Sequence, residues 1–78
     1  MNVYLVLGYS LVTGNQNIVD YIAANDEGEA CRKFERRNID CEANDVFLEG
    51  SVEEFVEEAP DEFADVVEDV MMQAGVMV

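Results

Sequence analysis

The residues with chemistry to offer are carboxylates. Glu53, Glu54, Glu57, Glu58, Asp61, Glu62, Asp65, Glu68 and Asp69 put nine of them within seventeen residues. Carboxylates serve as acid–base pairs, as ligands for hard cations, or as partners for Lys and Arg. A glycosidase-type pair needs a cleft, and a chain of 78 residues has little volume for one. Calcium loops need D-x-D-x-D-G spacing, which does not occur. There is no His, which removes the commonest general base and the commonest metal ligand together. Cys31 and Cys41 lack the paired spacing of zinc ligands. Gly8, Gly14, Gly28, Gly50 and Gly75 are scattered as turns and caps rather than gathered into a phosphate loop. The residues therefore predict no enzyme, no cofactor and no metal site. Ion pairing with a basic partner is what remains.

The spacing suits that role. Seventeen helical residues span roughly 25 Å at about 1.5 Å per residue, so the carboxylates recur about every 3 Å, against about 1.7 Å for the charges of duplex DNA. A charge line of this density carries a negative field that steers a basic groove toward it. The residues expected to make the contacts are Glu54, Glu57, Glu58, Asp61, Glu62, Asp65, Glu68 and Asp69.

Eighteen acids against four bases give a net charge of −14. Residues 1–41 account for −2 and residues 42–78 for −12, the second half holding no base at all. A surface that only has to stay soluble usually mixes its signs, so the imbalance favours an acidic surface with a function. Direct nucleic-acid binding needs cations to neutralise phosphates, and an anionic membrane makes the same demand; both are disfavoured. No run approaches the ~20 apolar residues that span a bilayer, and Met1-Asn2-Val3-Tyr4 lacks the basic start of a signal peptide. A cytoplasmic protein with Cys31 and Cys41 as reduced thiols is expected, a Cys31–Cys41 bridge being the alternative.

The elements that position the carboxylates follow from periodicity. Half of the residues are hydrophobic, enough for one folded domain over residues 1–78. Val3-Tyr4-Leu5-Val6-Leu7 is apolar in every position and predicts a strand buried on both faces. Thr13 to Asn17 predicts a hairpin loop, and Ile18 to Ala23 a returning strand with Asp20 toward water. Asn25 or Asp26, the latter with Glu29 as in a capping box, predicts a capped helix whose apolar stripe is Ala30, Cys31 and Phe34. Arg32, Lys33, Arg36 and Arg37 then take its other faces and last turn, where cations suit the dipole and balance nearby carboxylates. Asp45 to Glu49 predicts a third strand ending at Gly50. Ser51 with Glu54 caps a second helix; Pro60 ends it and opens a third. Phe63, Val66, Val67, Val70, Met71 and Ala74 form the third helix's apolar stripe. The predicted order is β-β-α-β-α-α, an α+β domain with its helices on one face of an antiparallel sheet.

The opening Met1-Asn2-Val3-Tyr4-Leu5-Val6, and the strand running through Ile22-Ala23-Ala24-Asn25-Asp26 into Glu27-Gly28-Glu29-Ala30, look like the β-β-α start of many small phage and mobile-element proteins. The whole-chain profile, short and very acidic without a catalytic set, is similar to phage anti-defence proteins of the anti-CRISPR and DNA-mimic anti-restriction types. That resemblance covers roughly the first 37 residues by pattern and the rest by composition, and assigns no individual residue. It implies an inhibitor that occupies a Lys/Arg-rich DNA- or RNA-binding channel of a host defence complex. The competing reading is a structural or regulatory protein that self-associates, as a homodimer for example, through Val76-Met77-Val78 or a sheet edge, its charge giving solubility alone.

Overall fold

A computed structural model of the chain describes residues 1–75. β1 (Asn2–Ser10) and β2 (Ile18–Ala24) form the hairpin, α1 spans Glu27–Arg37, and β3 spans Cys41–Ser51. α2 (Val52–Glu58), a 3-10 turn (Asp61–Phe63) and α3 (Ala64–Gln73) follow. The sheet is antiparallel with order β2-β1-β3. The α+β class and the order of elements are as the periodicity predicts.

The helices do not share one face. Tyr4, Val6, Ile22 and Ala24 are buried with Ala30 and Phe34 of α1. Val3 and Ala23, the alternate positions of the same strands, are buried with Val52 of α2 and Val70 of α3. Successive strand residues point to opposite faces, so α1 covers one side and α2 with α3 the other. The correction has a simple cause. A central strand that is apolar at every position needs cover on both faces, which a single helical layer cannot supply.

Local chemistry sets the ends of the elements. The Asp26 carboxylate accepts from the Glu29 N–H at 2.8 Å and starts α1, and the Asn38 N–H donates to the Phe34 carbonyl at its close. Ser51 Oγ accepts from the Glu54 N–H at 3.2 Å and starts α2, while Pro60 stands between α2 and the 3-10 turn. β3 is longer than Asp45 to Glu49 because Cys41 to Ala43 also pair, with Ser10 to Gly8. Two bulges, at Asn44 and Glu49, let that length follow the twist of β1. Asp40, at φ 65°, makes the tight turn into the strand.

At Gly8 the strand backbone lies directly against the Phe34 ring of α1. A Cβ there would lie 2.5 Å from the Glu42 carbonyl oxygen and 2.6 Å from the Phe34 ring. Only a glycine lets Phe34 sink fully into the sheet. Cys31 and Cys41 are half-buried free thiols. Burial pushes the Cys31 thiol up, with Glu35 and Glu27 adding to the effect. Among the described residues no helix is long and apolar enough to cross a membrane.

Candidate protein-interaction surface

Both acidic helices begin favourably. Glu53 and Glu54 lie in the first turn of α2, Asp61 and Glu62 in the 3-10 turn, and Asp65 in the first turn of α3. Carboxylates there meet the positive end of a helix dipole. Glu57 and Glu58 do not: they end α2, whose last turn holds no base. Helix stability alone would place Lys or Arg at those positions.

Glu54, Glu57, Glu58, Asp61, Glu62, Asp65 and Glu68 are all exposed, and none pairs with a base among the described residues. Glu54 is tied locally, since its carboxylate accepts from the Ser51 hydroxyl at 3.2 Å. Asp69 stands apart from these seven. It is half-buried, accepts from Arg37 Nη2 at 2.8 Å and from Gln73 Nε2 at 3.0 Å, and so joins α3 to α1. Its role in the fold was concealed in the sequence, where Arg37 lies 32 residues away.

All four bases lie on α1, across the sheet from these carboxylates. Lys33 pairs with Glu29 at 3.2 Å. Arg37 pairs with Asp20 at 3.0 Å as well as with Asp69, so Asp20 does not face open water as its place in the strand pattern suggested. Burial alone would lower the Arg37 pKa, but the hydrogen bonds and charges of Asp69 and Asp20 outweigh it and hold the guanidinium above its ordinary value. The sheet thus separates a mixed-charge layer from one that carries nine acids and no base over residues 52–75.

Between α2 and α3 runs a groove of about 280 Å³ lined by Val52, Val56 and Met71, with Glu53 and Glu57 beside them. An apolar floor with a carboxylate rim matches a Lys or Arg side chain, whose stem is apolar and whose head is charged. Glu53 belongs to this groove although it was not among the expected contacts; its place beside Val56 could have been read from the helical spacing. Among the described residues no three carboxylates or thiols converge to hold a metal ion. Val76-Met77-Val78, the tail considered for self-association, lies outside the described residues. Compared with known protein families, curated proteins and solved structures, the chain matches none.

Proposed function

We propose that the protein is a phage-type inhibitor of a host nucleic-acid-targeting defence complex, of the anti-CRISPR kind, acting in the bacterial cytoplasm. Its α2–α3 layer docks on a Lys/Arg-rich DNA- or RNA-binding surface and blocks access of the nucleic acid. The observation that carries this reading is the row of seven exposed carboxylates without a base, two of them ending α2 against its dipole. Self-repulsion of that kind costs stability, and a basic partner relieves it. Each carboxylate offers Lys or Arg a charge-assisted hydrogen bond, and the groove beside Glu53 and Glu57 takes one side-chain stem.

The test is DNA binding by purified CRISPR surveillance complexes and restriction enzymes, with and without the protein, at low and high salt. Inhibition of one of them that fades as salt rises is expected. The variant Glu58→Lys/Glu62→Lys/Asp65→Lys should fold and lose at least ~100-fold in affinity, since a hydrogen bond to a charged group contributes about 1.5–3 kcal/mol. A folded triple variant that inhibits as well as the parent would overturn the proposal.

A further inference from the structure

The two edges of the sheet are finished differently. On β2 three outward groups are taken, two of them by Gln73: the Ala23 N–H donates to Gln73 Oε1 at 3.0 Å, and the Tyr21 carbonyl accepts from Gln73 Nε2 at 2.9 Å. Lys33 Nζ donates to the Ala23 carbonyl at 2.8 Å. On β3 the Ala43 N–H donates to Glu35 at 3.2 Å, and beyond it the edge is open. Leu5 and Leu7 of β1 face Phe47 and Asp45. Because Tyr21 and Ala23 turn their backbone groups away from β1, Ile22 and Asp20 bond to Tyr4 and Val6; Leu5 and Leu7 therefore bond to β3, and the backbone groups of Val46 and Leu48 point outward. Among the described residues nothing bonds to them. Phe47 is 51 % exposed and Leu48 60 %, one on each face of that edge. Natural proteins shield an edge of this kind or use it for pairing.

The side chains specify what would pair. Asp45-Val46-Phe47-Leu48-Glu49 is an apolar trio between two acids. We propose that the outer edge of β3 is a second docking surface, adding an extended segment of a partner protein in which apolar residues lie between two Lys or Arg. A partner residue beside Phe47 would extend the row Tyr21-Leu5-Phe47, and one beside Leu48 the row Ile22-Tyr4-Leu48. Bases beside Asp45 and Glu49 make opposite-charge cross-strand pairs. A second copy of this chain fits worse. The antiparallel register that lays trio on trio, centred on Phe47, sets Asp45 of each copy against Glu49 of the other, and like charges directly opposite destabilise. This surface is independent of the α2–α3 layer.

The test uses the whole protein and a capped peptide with a Lys-Val-Val-Val-Lys core. Amide hydrogen exchange at Val46 and Leu48 should slow at least about tenfold on binding. N-methylation of the peptide's β3-facing amides should abolish the effect. The variant Asp45→Lys/Glu49→Lys keeps the backbone and should switch preference to the Glu-Val-Val-Val-Glu peptide. The α2–α3 triple variant should protect Val46 and Leu48 as well as the parent does, which separates failure here from failure of the proposed function. Binding that leaves those amides unprotected and tolerates N-methylation overturns the proposal, as does no binding. So does protection in the free protein at the mass of a dimer, which would make a second copy the occupant.

Discussion

The two helical layers of this molecule divide its labour. On the α1 side Ala30 and Phe34 are completely buried, Lys33 and Arg37 are paired with carboxylates, and both helix ends are capped. On the other side α2 and α3 together contribute Val52 and Val70 to the buried set, α3 has no side-chain cap, and among the described residues the layer holds no cation of its own, Asp69 alone being answered by Arg37 from α1. The first layer is built for stability. The second is charged beyond what its own stability favours and is held by its neighbours: by Tyr21, whose ring packs 5.4 Å from Phe55 and 5.9 Å from Phe63, and by the contacts of Gln73 and Arg37. The surface proposed for binding is thus the one whose unpaired charge the rest of the fold has to support.

Core truncation should expose this difference most strongly. Phe34→Ala is expected to lose about 3–5 kcal/mol and to leave little folded protein, since the whole domain has only ~5–15 kcal/mol to lose. Val70→Ala, its counterpart in the acidic layer, should lose about 1.5–3 kcal/mol. Urea unfolding of both variants measures the gap, and equal losses would erase the distinction between the layers. Gly8→Ala probes the same α1 contact from the strand side. Overpacking against Phe34 and the Glu42 carbonyl should cost about 1–3 kcal/mol. The shorter Phe34→Leu should recover part of that loss in the double variant, because the two sites share one contact.

The seam between the layers comes next in size. Gln73→Leu leaves the Ala23 N–H and Tyr21 carbonyl without their partner and should cost about 1–3 kcal/mol. Arg37→Gln should cost less, about 1 kcal/mol or under, because the guanidinium is partly exposed and its ion pairs are screened by water. A cycle of Arg37→Gln with Asp69→Asn, followed by thermal unfolding, isolates the bond that crosses from α1 to α3.

Much of this plan is readable from residue order, and the exceptions share a cause. Asp26-x-x-Glu29, Ser51-x-x-Glu54 and Pro60 mark helix boundaries through local hydrogen bonds, so sequence carries them directly. The same holds for the exposed carboxylates, whose helical spacing is enough to place them outside. What sequence conceals depends on contacts far apart in the chain. Asp20 and Asp69 read as surface acids until the fold brings both to Arg37. The two-sided cover of the sheet was implicit in the unbroken apolar run Val3 to Leu7, yet which helix takes which face depends on how the chain returns after β3. The open edge of β3 likewise becomes visible only once the strand order β2-β1-β3 is known.

Relieving the acidic layer should stabilise the fold. Glu57→Lys and Glu58→Lys place cations at the C-terminal end of α2, where each should add about 0.3–1 kcal/mol at low salt. Added salt should raise the melting temperature of the parent more than that of this double variant, because screening removes a repulsion that the variant has already lost. In the proposed complex salt acts with the opposite sign, weakening the contact it screens. An acidic layer already at its stability optimum would show neither response.

The smallest effect is the response of the α1 layer to acid. The Lys33 ammonium hydrogen-bonded to Glu29 holds that carboxyl below its usual range, against an opposing push from burial and with help from the Asn25 N–H. A carboxylate depressed in the folded state contributes its stability above the unfolded pKa and loses it as pH falls through the folded one. The melting temperature of the parent should therefore exceed that of Glu29→Gln by most near neutral pH, and the two should converge in acid. Melting curves of the parent and Glu29→Gln across the acid range decide the matter. A gap that stays constant down through the acid range would show that the Lys33–Glu29 pair contributes nothing to the α1 layer, and would remove one support from its contrast with the acidic layer.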